Sequence, residues 1–132
     1  DDFVGMVEVA GRGGGFMVFN KFIPAVSGVN IAKLTALQSI GLPIEKFDIE
    51  KNAAVLRFFP SRPGTLRSIN GFEKANEIKG VESDYFVSIG DEFLSATVDG
   101  DRLGYVLSWA QTPSIAQQLA DQAESFISFE IQ

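Results

Sequence analysis

The chain contains no cysteine and no histidine. Without thiols there is no disulfide framework and no cysteine nucleophile, and without imidazole there is no Ser-His or Cys-His pair and no ordinary zinc site. A metal held here is therefore a hard cation on carboxylates, most simply Mg²⁺. Basic residues are few: 11 Lys and Arg stand against 17 Asp and Glu, giving a formal net charge of −6. No clustered Lys/Arg run marks a phosphate-backbone footprint, so nucleic acid is not expected as a partner. No apolar run approaches the ~20 residues that span a bilayer, and no charged n-region with an apolar h-region opens the chain. A membrane partner is not expected either, and the expected location is the cytoplasm.

What is present suits one modest core. The 132 residues are 45% hydrophobic and 21% charged, and a chain of this length buries roughly two thirds of its unfolded surface. It begins Asp1-Asp2-Phe3-Val4-Gly5, with no Met, and runs at once into an apolar stretch. That start reads either as the cut end of a longer polypeptide or as ordinary processing of a self-sufficient domain.

Residues 3–10 alternate and are rich in Val, which predicts a strand, broken by Gly11 and the Gly13-Gly14-Gly15 run. Strand character resumes over residues 16–22. Pro24 and Ser27-Gly28 turn the chain, with Ser27 as a candidate N-cap for a helix carrying Ile31, Leu34, Leu37 and Ile40 on one stripe. Gly41 and Pro43 end that helix. Residues 44–52 are charged and irregular, which places a boundary between a first part, 1–43, and a second, 44–132.

In the second part, residues 53–59 predict a strand stopped by Pro60-Ser61-Arg62-Pro63-Gly64, after which a turn is expected. A short helix fits residues 71–78, and three short strands fit 85–89, 93–98 and 104–109, with hairpin punctuation at Gly90-Asp91 and Asp99-Gly100-Asp101. Thr112-Pro113 opens a last helix with Ile115, Leu119, Ala123, Phe126 and Ile127 on one face, and residues 129–131 close as a strand. The order predicts an α+β fold, mostly antiparallel at its C-terminal end, with a late helix.

The candidate chemistry lies near the start. If Val7-Glu8-Val9-Ala10-Gly11-Arg12 is a strand, Glu8, Ala10 and Arg12 share one face. The Cα atoms of Glu8 and Arg12 then lie about 13 Å apart, too far for an ion pair. The spacing suits two contacts on one elongated polyanion: Glu8 on a Mg²⁺ bridging phosphates, Arg12 on phosphate oxygens. A half-exposed strand with charges facing water accounts for the same residues. Gly13, Gly14 and Gly15 would let backbone approach a phosphate, or simply form a wide hairpin turn. The run fits neither the Walker A nor the dinucleotide fingerprint.

Residues 7–16, with Glu8, Ala10, Arg12 and the three glycines, continuing through Ile23-Pro24-Ala25-Val26-Ser27-Gly28-Val29-Asn30, resemble the end of an ATP-grasp domain. They are especially similar to L-amino-acid ligases and carbamoyl-phosphate-synthase-like proteins. In that family a Glu-x-Asn-x-Arg strand supplies two Mg²⁺ ligands and a phosphate-binding arginine. Glu8 matches the metal-ligand Glu and Arg12 the arginine, while Ala10 replaces the usual Asn and Asn30 the usual Asp of the helix start. Residues 54–66, 101–107 and 112–116 resemble the C-terminal subdomain that follows the ATP-grasp core in biotin-carboxylase-like enzymes.

The resemblance implies that residues 1–43 end an ATP-grasp domain and residues 44–132 form the closing subdomain. It implies ATP and Mg²⁺ as cofactors, with Glu8 as metal ligand, Arg12 as catalytic and phosphate-binding residue, and Gly13, Gly14 and Gly15 at the phosphates. The implied reaction joins a small-molecule carboxylate to an amine through an acyl phosphate. The adenine pocket and the phosphate lysines are expected on an upstream ATP-grasp segment or a partner chain, so this stretch is expected to be inactive alone. Two other readings are a non-catalytic α+β binding or assembly module and one half of a split ligase. The latter predicts homodimerisation of the isolated chain through the edge at residues 3–9. Arg57 and Arg102 are further candidate cations for a closing subdomain to turn toward a substrate, outside the core set of site residues.

Overall fold

The computed structural model describes residues 14–95 and 98–132. Glu8, Arg12 and Gly13, and the strand expected over residues 3–10, lie outside them. The described chain is α+β, as the element order predicts. A π-helical turn (Val18–Phe22) runs into a short helix α1 (Ile23–Ser27), then α2 (Ile31–Ser39). After the irregular residues come β1 (Ala53–Pro60), β2 (Gly64–Asn70), α3 (Phe72–Asn76), β3 (Val81–Tyr85) and β4 (Glu92–Phe93). A 3-10 turn (Asp99–Asp101) leads into β5 (Arg102–Ala110), α4 (Pro113–Glu124) and β6 (Ser128–Ile131).

The strands form two antiparallel three-stranded sheets, ordered β1-β5-β3 and β4-β2-β6. In the first, Phe58 opposes Tyr105, Arg57 opposes Val106 and Val55 opposes Ser108. Because side chains alternate along a strand, Val106 and Ser108 face one side and Tyr105, Leu107 and Trp109 the other. The first side receives α3 and α4. Here Ala75, Val81, Val106 and Ala123 form a buried cluster edged by Phe59, Ile78, Leu119 and Ile127.

Helix α4 lies close to the sheet because its inward stripe is small: Ala116, Ala120 and Ala123 are fully buried. The buried Ser108 hydroxyl donates to the Ala116 carbonyl at 2.6 Å, so the polar atom at the middle of the sheet is satisfied by the helix it faces. Thr112 caps this helix, accepting from the Ile115 amide, with Pro113 in its first turn. Of the face expected to pack, Leu119, Ala123 and Ile127 meet the core, whereas Ile115 is 46% exposed and Ala116 beside it is buried instead.

A second cluster, Leu66, Leu103 and Ile131, joins the two sheets, with Phe59, Ile69 and Phe129 against it. Phe59 belongs to the surroundings of both clusters, with its ring 5.4 Å from Phe129 and 6.2 Å from Phe72. The chain enters α3 through Gly71 at φ 90, where a Cβ would meet the Phe126 carbonyl oxygen at 1.9 Å, so only glycine fits.

Several expectations change. Residues 16–22 are not a strand: Phe16 and Met17 have positive φ (20 and 67), and the Met17 carbonyl accepts from both Lys21 and Phe22 amides, which winds a π-helical turn. The cap of α2 is Asn30, whose side chain accepts from the Lys33 amide at 2.9 Å, whereas the Ser27 hydroxyl donates back to the Ile23 carbonyl. A turn was expected after Gly64 where β2 runs, pairing with β4 and β6. The strand expected at 85–89 lies at Val81–Tyr85, and of that expected at 93–98 the described residues show the short β4, while 96–97 lie outside them.

Candidate functional site

Of the expected site residues, Gly14 and Gly15 are described. They lead into the π-helical turn, with the Val18 amide donating to the Gly15 carbonyl at 3.2 Å. A side chain at Gly14 would press on Val18 at 3.1 Å, whereas one at Gly15 would meet open space.

Next to the glycines, Phe16 fastens this turn to the sheet face opposite α4. Its ring meets Phe58 and Phe86 edge-on at 5.2 and 5.5 Å, and Phe86 stacks on Tyr105. The Arg102 guanidinium lies over Phe58 at 4.0 Å and over Phe16 at 4.8 Å, a cation held between two rings. Arg102 therefore comes to the side of the molecule that carries the glycine turn. Arg57 goes to the other side, where it pairs with Asp121 at 2.6 Å and with Glu124 on α4. Arg62 donates to the Ile131 carbonyl. These two serve structural contacts.

A polar group that the sequence did not single out joins the same face. Glu82 on β3 accepts from Lys21 Nζ at 2.5 Å and from the Tyr105 hydroxyl at 2.6 Å, both on Oε1. Burial works to raise the Glu82 carboxyl, but the hydrogen bonds from Lys21 and Tyr105 and the Lys21 charge outweigh it and hold it below its ordinary value. The Tyr105 hydroxyl is pushed up, first by burial and then by its bond to Glu82 and the nearby carboxylate charges. Lys21 and Glu82 are 61 positions apart, which is why no local motif marks them.

Among the described residues no three His, Cys, Asp or Glu side chains gather as a metal-holding group. The described part thus offers an exposed glycine turn anchored to the sheet, and Glu8 lies outside the described residues. Beyond this turn, a groove of about 660 Å³ opens between α2 and the irregular segment, lined by Val29, Leu34, Leu37, Leu42 and Phe47 among others. Among the described residues no helix is long and apolar enough to cross a membrane.

The two-sheet architecture with its late helix and N-terminal turn is that of a fragment of an ATP-grasp ligase. The model of the L-amino acid ligase C-terminal domain 2 family matches residues 57–132, more than half of the chain, and the chain belongs to that family. Its structure is similar to the crystal structure of L-amino acid ligase from Bacillus licheniformis, with a TM-score of 0.75 at 18% identity. The match covers 96% of this chain and 32% of that one. At this identity the likeness speaks for the fold. No curated protein matches the chain.

Proposed function

We propose that this chain is the C-terminal part of an ATP-dependent carboxylate–amine ligase that works through an acyl phosphate. The observation that carries the reading is the family match over residues 57–132. In the proposed reaction a carboxylate oxygen attacks the γ-phosphorus of ATP and ADP leaves. An amine nitrogen then attacks the acyl carbon, phosphate departs, and the amine proton is lost to solvent. Such a reaction needs positioning and charge neutralisation more than a side-chain nucleophile, which suits a chain without His or Cys. Amino acids as both substrates would follow from the similarity to an L-amino acid ligase.

The residues assigned to this chemistry are Glu8 as ligand of Mg²⁺, Arg12 against the transferring phosphoryl group, and Gly13, Gly14 and Gly15 at the phosphates. Mg²⁺, when bound, offsets phosphate charge. Residues 1–43 form the end of the ATP-grasp domain in this reading and 44–132 its closing subdomain, in a cytoplasmic enzyme. The remaining nucleotide-binding parts come from an ATP-grasp segment upstream or on a partner chain. Support for such a partner comes from an apolar surface around α2: Ile40 is 70% exposed, Ile49 64% and Leu42 50%, beside the groove.

The test is amino-acid-dependent release of ADP and phosphate, measured on the ligase that carries this chain and on residues 1–132 alone. The expected result is turnover by the ligase, loss of at least about a hundredfold in Glu8→Ala or Arg12→Ala, and silence of the 132-residue piece. Full activity in Glu8→Ala, or turnover by the piece alone, would overturn the reading.

A further inference from the structure

We infer that Glu82 is a positioning residue, which clasps the glycine turn to the closing subdomain through Lys21 and Tyr105. Three observations converge on it. The π-helical turn that follows Gly14 and Gly15 contains Lys21, and its ammonium reaches across 61 positions to Glu82 at 2.5 Å. The same carboxylate oxygen accepts from Tyr105, which is 2% exposed and fixed in the middle of β5, so Glu82 is itself aimed by a buried group. The aromatic contacts of Phe16 with Phe58 and Phe86 secure the other end of the turn. Between ring contact and ion pair, the stretch after the glycines is held at two points on one sheet face.

The geometry has a local reason. Met17 and Phe16 sit at positive φ, a conformation that non-glycine residues adopt only when their surroundings hold them there. The clasp supplies part of that hold. With it broken, the turn is free to relax, and the backbone at Gly14 and Gly15 no longer has a fixed place relative to the sheet. This inference rests on the proposed function insofar as the glycines meet ATP phosphates, but the clasp itself has a readout that needs no activity. Trp109 is the single tryptophan of these residues and lines a cleft of about 330 Å³ together with Lys21, Pro24, Ala25 and Glu82. Its indole reports whether the turn is seated.

The experiment compares Glu82→Gln, Lys21→Met and the double swap Lys21→Glu/Glu82→Lys in the ligase that carries this chain, with tryptophans elsewhere replaced by phenylalanine. Acrylamide quenching of Trp109 and KM for Mg·ATP are measured beside kcat and KM for the carboxylate. Both single variants should quench more readily and raise KM for ATP by about threefold or more, leaving KM for the carboxylate unchanged, and the swap should restore both. Glu82 and Lys21 are each more than a third exposed, so the variants are compatible with folding. Unchanged quenching would overturn the clasp. Increased quenching with an unchanged KM for ATP would overturn the positioning role. An absence of ATP-dependent ligation in the unsubstituted ligase would remove the functional reading, while quenching would still decide whether the clasp exists.

Discussion

The two halves of the described chain are built differently. From residue 53 onward, two clusters of buried side chains lie between sheets and helices. Before residue 53, among the described residues, Val29 alone is buried, at 9%, and α2 has no buried residue. Both parts are rich in apolar side chains, yet only the later one has packed them. Burial rather than composition therefore separates a part with its own core from a part whose apolar face still meets water. The earlier part is held to the later one by specific contacts: the Phe16 ring against Phe58, Phe86 and the Arg102 guanidinium, and the Lys21–Glu82 pair.

The largest effect is expected in the core of the later part. Leu66→Ala empties a fully buried position where the two sheets meet, and should cost about 2–5 kcal/mol by denaturant unfolding. If it costs less than the same change at half-buried Leu34 of α2, the later part does not hold the core. The contacts between the parts come next. Glu82 is held below its ordinary 4.5, so the stabilisation from its pairing is complete above that value and is lost as pH falls through the lower folded value. Unfolding of the unsubstituted protein and of Glu82→Gln, followed from about pH 6 to about pH 3, should show a difference of up to about 1 kcal/mol that shrinks toward acid. A difference that grows toward acid would have the wrong sign for this pairing. The smallest effect is expected on the exposed side. Ile40→Asp should change the unfolding free energy by no more than about 0.5 kcal/mol, while weakening binding of the separately expressed ATP-grasp segment in a titration. A large loss of stability would mean that α2 is packed after all.

How much of this was legible follows from where the determining contacts lie. β1, β5, α4 and β6 were readable because their periodicity and their capping residues, such as Thr112-Pro113, are local. β2 was not: Gly64-Thr65-Leu66-Arg67-Ser68-Ile69-Asn70 carries few apolar residues, and its strand state comes from pairing with β6, more than fifty positions away. Residues 16–22 misled for the opposite reason, since their bulky apolar run suits a strand while Gly14-Gly15 and the docking of Phe16 on Phe58 impose a turn. Glu8 and Arg12 were singled out by their shared face on an expected strand and assigned roles by family resemblance, and they lie outside the described residues. Glu82 carried no signal, because its partners are supplied by the π-helical turn and by β5.

The ring of Phe59 lies against both buried clusters and touches Phe72 and Phe129. A side chain shared in this way leaves no seam along which the later part can split, because separating the sheets would strip both clusters of the same neighbour. Residues 53–95 and 98–132 are accordingly expected to travel together as one block.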